Sequence, residues 1–430
     1  MIVTGRLVGL VLCGAVPVLL RPAATTVWLW ALLCLVVVGL DALLAGSPRA
    51  LRLERLGSPQ VRLGEPSSTT LLATNTGSHT FRGWLRDAWQ PSAGASGNRH
   101  RLRVPAGERR ALRTPLLPTR RGDRRADRVT VRRLGPLGIA GRQHSFEVAG
   151  HVRALPPFSS RRHLPSRLAQ LRQLDGRSAV RTRGQGTEFD SLRDYVDGDD
   201  VRSIDWRATA RRRSTVVRTW QPEKDRHIVL VLDTSRTSAG RVGDVPRLDA
   251  AMDAALLLAA LASRAGDRVD LIAGDRRVHR KVLSASRTTL LSDLVTAMAP
   301  LEPALIEADW RLLTSEVTRL SRHRGLVVLL TPLEPSAIEE SLLPPLGVLA
   351  QRHRVVLASV SDPALGQMRA GLADAREVYD AAAAERTTAL RQRTAAALGR
   401  MGVEVLDADP EQLPAVLADH YLMLKSRGLL

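Results

Sequence analysis

The sequence of 430 residues contains very little cysteine and lysine and few aromatic residues. Its two cysteines, Cys13 and Cys34, both lie in apolar runs near the N-terminus, which excludes a disulfide framework. Because no thiol follows residue 34, a cysteine nucleophile, a CxxC redox pair and a thiolate zinc site are excluded from the remaining chain. Any chemistry in that part must use oxygen and nitrogen groups.

Several catalytic motifs are missing as well. No GxxxxGK[ST], HExxH, GxSxG or complete GxGxxG pattern occurs, so nucleotide-binding, zinc-protease and serine-hydrolase mechanisms have no residue set to start from. The ten histidines are scattered along the chain, and each is more typical of a surface or core position than of a metal ligand. We therefore expect no catalytic residues and a protein that is not an enzyme.

Basic charge is abundant and is nearly all arginine, because only three of the 63 basic residues are lysines. Residues 47 to 160 contain 21 arginines and seven acidic residues, whereas residues 227 to 430 are almost neutral. A solvated arginine surface explains this band, and contact with anionic lipid headgroups is an alternative. Nucleic acid is an unfavoured partner, because the few aromatic residues in the band have no spacing suited to base stacking.

Two apolar runs predict a transmembrane hairpin over residues 1 to 46. The run from 23 to 46 would reach about 36 Å as a helix, which exceeds the ~30 Å of a hydrocarbon core. The run from 7 to 20 is shorter, and it spans only if Ile2 and Val3 join it and Arg6 extends to the headgroups. A signal peptide is the alternative interpretation of the first run.

Arginines set the expected orientation of this hairpin. Arg49, Arg52 and Arg55 follow the second run at once, whereas the turn between the runs carries only Arg21. The positive-inside rule then places everything after residue 46 on the cytoplasmic side of the inner membrane. The lack of cysteine in that part agrees with a reducing compartment.

Short alternating runs with turn residues between them fill residues 57 to 158. The predicted strands are Thr69 to Asn75, Phe81 to Trp89, His100 to Val104, Ala111 to Leu116, Arg128 to Arg133 and Arg142 to Val148. Six strands at this spacing predict a small antiparallel sandwich or barrel. It contains no carboxylate pair or histidine cluster, so we interpret it as a structural or docking module.

A linker over residues 159 to 226 contains the densest mixture of charges, EFDSLRDYVDGDDVRSIDWRATAR from 188 to 211. Acidic and basic side chains alternate around Phe189, Tyr195, Ile204 and Trp206, so the charges can pair while the large apolar groups fix the segment to a surface. We interpret it as a clamp between domains. The alternative is a catalytic carboxylate cluster of Asp199, Asp200 and Asp205.

The same segment resembles the signature of a bacterial family, the domain of unknown function family 58 (DUF58). The signature positions are here Glu188, Phe189, Arg193, Tyr195, Gly198, Asp199, Arg202, Ile204, Asp205, Trp206, Ala210 and Arg211. The layout agrees too: a membrane hairpin, a β-rich segment ending in Gly135-Pro136-Leu137-Gly138, this signature and a von Willebrand factor A-like domain. The resemblance implies a MoxR-type AAA+ ATPase as a partner in cell-envelope or complex-maturation tasks.

Residues 227 to 430 alternate between short apolar runs and helical stretches. Strands are expected at His227 to Leu232, Val269 to Ala273, Leu326 to Leu330, Val355 to Val360 and Val403 to Leu406. Helices are expected at Leu248 to Arg264, 287 to 299, 309 to 321, 336 to 350, 377 to 400 and 411 to 426. This order predicts an α/β doubly wound sheet, whose ligands bind at the carboxyl ends of the strands.

Asp233, Ser235 and Thr237 follow the first of these strands. One carboxylate and two hydroxyl groups suit a hard cation such as Mg²⁺. The pattern resembles the metal-ion-dependent adhesion site of von Willebrand factor A-like domains, which implies a further ligand from Thr288 or Thr289 and a carboxylate from a partner.

The predicted metal site is incomplete, because that family also has an aspartate after the fourth strand. Here the strand ends in Leu329-Leu330-Thr331-Pro332, and Glu334 lies a few residues too late. The alternative is a vestigial site in which Asp233 only caps backbone amides.

These observations favour a membrane-anchored cytoplasmic binding or scaffold protein whose α/β domain engages a protein partner near Asp233. The alternatives are a carboxylate-dependent hydrolase and a membrane-associated nucleic-acid-binding protein.

Overall fold

Two compact units, residues 1 to 157 and 158 to 430, make up the computed structural model. It describes the chain except residues 58, 182–187, 213, 222–225, 284–285, 287, 322 and 372, and it describes only the backbone at 175–181, 188–190 and 219–221.

The first unit contains three helices and ten strands among its described residues. In chain order they are β1 (Ile2–Val3), α1 (Gly5–Cys13), α2 (Ala15–Leu20), α3 (Ala24–Leu44), β2 (Leu51–Leu56), β3 (Gln60–Arg62), β4 (Ser67–Asn75), β5 (Phe81–Trp89), β6 (Arg99–Val104), β7 (Arg109–Leu116), β8 (Gly122–Leu134), β9 (Ala140–Phe146) and β10 (His151–Leu155).

Two sheets of mainly antiparallel strands form this unit. One has the order β2-β4-β7, and the other joins β1, β9, β8, β10 and β3, with β5 and β6 extending from β8. Leu71 from the first sheet and Phe81 and Val131 from the second belong to one buried cluster. The six predicted strands are confirmed. Four further strands, β1, β2, β3 and β10, were not predicted, and β2 lies before residue 57.

Alternation explains why these segments form strands with one buried face. Along β5, Phe81, Leu85 and Asp87 are buried, while Arg82 and Arg86 between them are exposed. A period of two is the signature of a strand that covers a core with one face and meets solvent with the other.

One described helix, α3, lies in a segment long and apolar enough to cross a membrane, Ala24–Ala50. The preceding run, Gly5–Leu20, is apolar but shorter, and it is divided into α1 and α2 at Gly14. The structure therefore bears out one apolar N-terminal helix of spanning length.

The second unit contains eleven helices and ten strands among its described residues. They are α4 (Leu164–Arg181), β11 (Glu188–Asp194), α5 (Trp206–Thr209), β12 (Val216–Gln221), β13 (His227–Asp233), α6 (Arg236–Ala239), β14 (Arg241–Val242), β15 (Val245–Pro246), α7 (Arg247–Arg264), β16 (Arg268–Gly274), β17 (Val278–Val282), α8 (Leu290–Met298), α9 (Trp310–Leu320), β18 (Leu326–Leu330), α10 (Pro335–Ala337), α11 (Leu343–Arg352), β19 (Arg354–Val360), α12 (Ala364–Ala370), α13 (Ala375–Arg400), β20 (Val403–Ala408) and α14 (Leu413–Ser426).

A six-stranded sheet with the order β17-β16-β13-β18-β19-β20 is the centre of this unit. All strands are parallel except β17, which pairs antiparallel with β16 at the edge. Residues 228 to 233 of β13 are all buried, as expected for a strand covered on both faces. The mixed α/β sheet and its five predicted parallel strands are confirmed, and β17 is an addition.

Candidate functional site

The carboxyl ends of β13 and β18 bring Asp233 and Thr331 together. These two strands are neighbours in the sheet, yet the chain passes through β16 and β17 on the other side of β13 before it returns to β18. The strand order therefore reverses between β13 and β18. In doubly wound sheets, ligands bind outside the carboxyl ends of the strands at this point.

Three hydroxyl groups and one amide surround the Asp233 carboxylate. Thr331 donates from Oγ1 to Oδ2 over 2.7 Å, and Thr237 donates to the same oxygen over 3.0 Å. The Ser235 amide donates to Oδ1 over 2.8 Å. Since Ser235 Oγ also lies 3.1 Å from Thr237 Oγ1, four side-chain oxygens converge. We call Asp233, Ser235, Thr237 and Thr331 the Asp233 cluster.

The Asp233 cluster is shielded from solvent. The exposed fractions are 1% for Asp233, 1% for Ser235, 8% for Thr237 and 4% for Thr331. Burial raises the pKa of Asp233, because it disfavours the charged carboxylate, and the hydrogen bonds from Thr331, Ser235 and Thr237 oppose this rise. The carboxyl group is thus held in one orientation by fixed donors.

A second acidic residue, Asp275, directly follows β16, the strand beside β13. Its carboxylate accepts a hydrogen bond from Thr234 Oγ1 over 3.0 Å and lies 2.6 Å from His279 Nε2. Burial tends to raise the pKa of Asp275, but the hydrogen bonds from His279 and Thr234 outweigh it and the pKa is lowered. The sequence analysis missed Asp275, although its place directly after a buried strand was a usable signal.

The spacing of the Asp233 cluster fits an octahedral cation. Neighbouring ligands of Mg²⁺ at 2.0 to 2.1 Å lie roughly 2.9 Å apart, and the four oxygens of the cluster are separated by 2.7 to 3.1 Å where they are in contact. The set supplies only one carboxylate, however, and no group of three or more His, Cys, Asp or Glu that could hold a metal occurs in the described part of the chain. The oxygen type suits Mg²⁺, but hydrogen-bonded oxygens have the same spacing without any ion, and a single buried carboxylate supplies little charge for a divalent cation.

Thr331 and Thr288 are placed differently from the sequence-based expectation. Thr331 occupies the position after β18 where the adhesion sites of von Willebrand factor A-like domains have an aspartate. Its hydroxyl group completes the cluster. Thr288, the predicted fourth ligand, is exposed, and its Oγ1 lies 2.8 Å from Ser286 Oγ. No described hydrogen bond joins Thr288 to the Asp233 cluster, so its role as a ligand stays a prediction.

An exposed leucine lies beside the Asp233 cluster. The Ala304 amide donates to the Thr234 carbonyl, and the Arg236 amide donates to the Ile306 carbonyl, each over 2.8 Å. Arg236 also forms an ion pair with Glu307. These bonds hold Leu305, which is 84% exposed, next to the loop that carries Ser235.

The signature segment forms a hairpin rather than an irregular loop. Strands β11 and β12 pair antiparallel, from Glu188 opposite Gln221 to Asp194 opposite Val216. Two ion pairs lie at its tip: Arg193 with Asp199 at 2.5 Å, and Arg218 with Asp205 at 2.7 Å. The predicted pairing of acidic and basic side chains is therefore present at these positions.

The two acidic residues of these ion pairs also cap backbone groups. Asp205 accepts from the amides of Arg207 and Ala208 at the start of α5, and Asp199 accepts from the amide of Val196. The pKa of Asp205 is lowered by the Ala208 amide and then by Arg218, and the pKa of Asp199 is lowered by the Arg193 guanidinium. Both carboxylates are thus held in the ionised form.

Trp206 does not pack as the sequence analysis expected. Its side chain is 71% exposed, and Val196 and Val201 are exposed by 61% and 63%. Tyr195 and Ile204 are partly buried, and the side chain of Phe189 lies outside the described residues. The signature hairpin therefore presents an apolar surface next to its ion pairs.

The sequence profile of the family described as "Protein of unknown function DUF58" matches residues 191–414. This is just over half of the chain. The chain belongs to the DUF58 family. Its match begins within the signature hairpin and ends in α14, so it covers the Asp233 cluster as well.

Relatives of this DUF58 chain include the uncharacterized protein Mb1516 of Mycobacterium bovis and the uncharacterized protein Rv1480 of Mycobacterium tuberculosis. Each is 30% identical over 185 residues, which are 42% of this chain and 56% of the relative. The chain therefore spans about half the length of the curated relatives it matches.

Two solved structures that resemble the DUF58 chain each cover about a quarter of it. The CARDB domain of a Pyrococcus furiosus protein, in complex with di-metal ions, is 16% identical with a TM-score of 0.17 and covers 24% of this chain and 93% of that one. A β-glucosidase from Listeria innocua is 16% identical with a TM-score of 0.17 and covers 24% of this chain and 16% of that one. Scores this low carry no argument about function.

Asp41, near the end of α3, fixes the apolar helix of the DUF58 chain to its β region. Its carboxylate accepts hydrogen bonds from the amides of Leu137, Ile139 and Ala140, each over 2.8 Å. Asp41 is 1% exposed. A charged residue near the end of an apolar span opposes insertion into the membrane, whereas here Asp41 forms a tertiary contact with the β region.

Proposed function

We propose that this DUF58 protein is a membrane-anchored binding or scaffold protein whose C-terminal α/β domain engages a protein partner at the carboxyl edge of its sheet. The Asp233 cluster, which lies where the strand order reverses, is the observation that carries the proposal. The sheet order, with an antiparallel edge strand, supports a von Willebrand factor A-like fold for this domain. The resemblance to the DUF58 family implies a MoxR-type AAA+ ATPase as the partner.

Mg²⁺ is the cofactor that we propose for this edge. Asp233, Ser235, Thr237 and Thr331 would hold it, and the ion would supply a positive charge that attracts a carboxylate of the partner. Asp233 neutralises only half of a divalent charge, so an acidic side chain from the partner would complete the balance. Ser235 and Thr237 position their hydroxyl groups for this role in the loop that follows β13.

An exposed apolar side chain supports docking at the same edge. Leu305 is 84% exposed although it is held beside the loop after β13. Large apolar groups that remain in solvent next to charged residues are typical of protein interfaces. Leu305 therefore offers a contact that can be altered without disturbing the buried cluster.

Membrane anchoring is the second part of the proposal. The 21 residues of α3 correspond to about 31 Å of helix, and Arg49 and Arg52 follow it within a few residues. The positive-inside rule then favours a cytoplasmic location at the inner membrane for the chain after residue 46. The condition for the shorter run to span is not met, because Ile2 and Val3 form β1 and do not extend the helix. We therefore propose α3 as the spanning helix and Gly5–Leu20 as a shorter apolar segment that enters the bilayer beside it.

A role without catalysis is also part of the proposal. The hydrolase alternative would use Asp199, Asp200 and Asp205. Ion pairs and amides hold Asp199 and Asp205, whose lowered pKa values disfavour proton donation, and the Asp200 carboxylate accepts from the amide of Arg202. This arrangement is typical of a structural hairpin. No described observation favours a catalytic role for the signature.

Partner binding can be tested by immobilising the full chain in detergent and measuring how much of a purified MoxR-type ATPase from the same organism it retains. We expect the wild type to retain the ATPase, and we expect Leu305→Ala and Asp233→Asn each to lower retention at least tenfold. Leu390→Ala, at a leucine that is 41% exposed on α13, is the matched control and should retain the ATPase fully. If the wild type and both variants retain the ATPase equally, the carboxyl edge of the sheet is not the docking site.

Anchoring can be tested separately. Alkaline carbonate should leave the chain in the membrane pellet, and protease added to intact spheroplasts should spare both units. Release by carbonate contradicts the membrane anchor, and digestion contradicts the cytoplasmic orientation.

A further inference from the structure

The outer face of the sheet that contains β5, β6 and β8 is strongly basic. Alternation along these strands places the same group of side chains in solvent, and we call them the basic face: Arg82, Trp84 and Arg86 on β5, Arg99, Arg101 and Arg103 on β6, and Arg132 on β8. All seven are exposed, while the residues between them, such as Leu85 and Leu102, are buried or partly buried. The face therefore presents six arginines around one tryptophan.

Like charges lie directly opposite each other on this face. Arg86 pairs in register with Arg99, and Arg82 pairs in register with Arg103. Such pairs destabilise a sheet when nothing compensates them. No described carboxylate forms an ion pair with any of these four arginines, whereas Arg52, Arg110 and Arg128 elsewhere in this unit each have an acidic neighbour. The register of β5 and β6 thus favours an anion between the arginines.

A depression of about 670 Å³ lies on the basic face. Arg86, Arg99 and Arg132 contribute to its lining, together with Trp84 and with Ile2 and Val3. Its walls thus combine a cationic part with an apolar part. A ligand that carries both an anionic group and an apolar group matches this lining.

The depression lies next to the start of the first apolar helix, α1. Ile2 and Val3 form β1, which pairs with β9 of the same sheet, and α1 begins two residues later at Gly5. Thr4 donates to the Gly138 carbonyl over 2.7 Å, and Arg6 donates to the Leu137 carbonyl over 2.9 Å. Because Asp41 at the other end of the hairpin is bound to the same loop, both ends of the apolar segment meet this sheet.

We propose that the basic face binds the phosphate of an anionic phospholipid. The headgroup lies between Arg86 and Arg99, and Trp84 lies at the level of the membrane interface. The inference rests on the membrane anchoring proposed above. Arginine near an anionic bilayer is attracted to its surface, and tryptophan is enriched at the interface. The apolar part of the depression, Ile2 and Val3, lies where the chain enters the anchor.

A nucleic acid matches the face less well. Single strands bind to rows of aromatic side chains that stack on successive bases, whereas the basic face has Trp84 as its single aromatic residue. The lipid also accounts for the continuity of the depression with the start of α1, which a nucleic acid leaves unexplained.

Native mass spectrometry of the full chain in a neutral maltoside detergent can measure lipid binding. Phosphatidylglycerol and phosphatidylcholine with the same acyl chains are added in turn, and we expect the wild type to bind phosphatidylglycerol at least tenfold more tightly. In the Arg86→Gln/Arg99→Gln variant the affinity for phosphatidylglycerol should fall about 25-fold, because one basic residue at an anionic surface contributes roughly fivefold. The affinity for phosphatidylcholine should not change.

The matched control is Arg109→Gln/Arg110→Gln, which removes the same charge from exposed arginines of β7 on the other sheet of this unit. It should bind phosphatidylglycerol within twofold of the wild type. An equal loss in both double variants would mean that the chain responds to net charge, and the basic face would not be a site. Unchanged affinity in Arg86→Gln/Arg99→Gln would also overturn the proposal.

Two competitors distinguish the source of the phosphate. Glycerol 3-phosphate and a single-stranded 20-nucleotide DNA are added to the wild-type complex with phosphatidylglycerol, and neither should displace the lipid at equal concentration. Displacement by glycerol 3-phosphate would assign the face to a soluble phosphate, and displacement by DNA would assign it to nucleic acid. These measurements need no ATPase, so a failure of the docking experiment leaves their outcome unaffected, and carbonate extraction reports anchoring by itself.

Discussion

Thr331 donates a hydrogen bond to Asp233 over 2.7 Å, although the two residues are 98 positions apart in the sequence. Both are buried. Asp233 is the last residue of β13, and Thr331 directly follows β18. The bond therefore joins the carboxyl ends of β13 and β18, where the strand order reverses. Its loss should be felt in stability first, because a buried carboxyl group would lack one of its donors.

Thr331→Val keeps the shape of the side chain and removes the donor. We expect the free energy of unfolding to fall by about 1 to 3 kcal/mol, measured by urea denaturation of the full chain in detergent. Thr387→Val is the control, since the exposed Thr387 hydroxyl only bonds the carbonyl of Ala383 within α13. It should change stability by less than about 0.5 kcal/mol. A similar small change for Thr331→Val would mean that this bond is dispensable.

Mg²⁺ should stabilise the wild type through the Asp233 cluster. At 10 mM Mg²⁺, a site with a Kd of about 1 mM raises the free energy of unfolding by about 1.4 kcal/mol, which thermal denaturation can detect as a higher Tm. Asp233→Asn should abolish the rise, and Thr387→Val should keep it. The same rise in wild type and Asp233→Asn would place any Mg²⁺ binding elsewhere.

Asp87→Asn should be the most destabilising single change in the first unit. Asp87 and Arg55 form a buried ion pair with contacts of 2.6 and 3.0 Å, and their side chains are 0% and 2% exposed. Removing one partner leaves an uncompensated buried charge, which costs about 3 to 5 kcal/mol. The measurement is the urea midpoint of the full chain.

Asp127→Asn provides the matched control for that measurement. Asp127 pairs with Arg128 at 3.6 Å, but both side chains are about 60% exposed. Exposed ion pairs contribute little, so the change should stay below about 1 kcal/mol. Equal effects of the two substitutions would contradict the structural role of the buried pair.

His353 should make stability depend on pH below 6.5. It is 3% exposed, and burial lowers its pKa, with His227 and Arg352 adding in the same direction. Below pH 6.5 the unfolded chain binds a proton that the folded chain resists, so its contribution to stability is complete above 6.5 and is lost as the pH falls through the folded pKa. His353→Leu should reduce this loss, measured by Tm between pH 5 and 8.

Two further comparisons separate the effect of His353 on the pH dependence of stability from the effects of other histidines. Burial also lowers the pKa of His420, so the single variant should keep part of the dependence and a double variant with His420→Leu should show less. His79→Gln, at an exposed histidine, should follow the wild type. If His353→Leu has the wild-type pH dependence, the folded protein accepts the proton on His353 without cost.

Asp41→Ala should loosen the loop that it binds. The amides of Leu137, Ile139 and Ala140 would lose their acceptor, and a loss of about 1 to 3 kcal/mol corresponds to roughly fivefold to 150-fold faster hydrogen exchange. Hydrogen exchange with mass spectrometry in detergent can follow the peptide that contains 137 to 140. Exchange in the peptide from β4 should stay as in the wild type, and unchanged exchange at 137 to 140 would contradict the contact.

Local patterns predicted much of the fold. Alternation predicted β5 with its observed ends, Phe81 and Trp89, and the apolar run of β13 predicted a strand covered on both faces. β17 escaped prediction because Val278–Val282 is short and mostly polar, and its place follows from pairing with β16. The hairpin of β11 and β12 escaped for the same reason, since its charged residues are set by pairing and not by a hydrophobic period.

Sequence alone determined the apolar length of α3, the basic band after it, and the position of Asp233 at the end of a buried strand, because each depends on residues adjacent in the chain. Only the tertiary structure decided that Thr331 reaches Asp233, that Asp41 holds the loop at 137 to 140, and that Arg86 faces Arg99. These contacts depend on which strands are neighbours and in which register, and no local period encodes that choice.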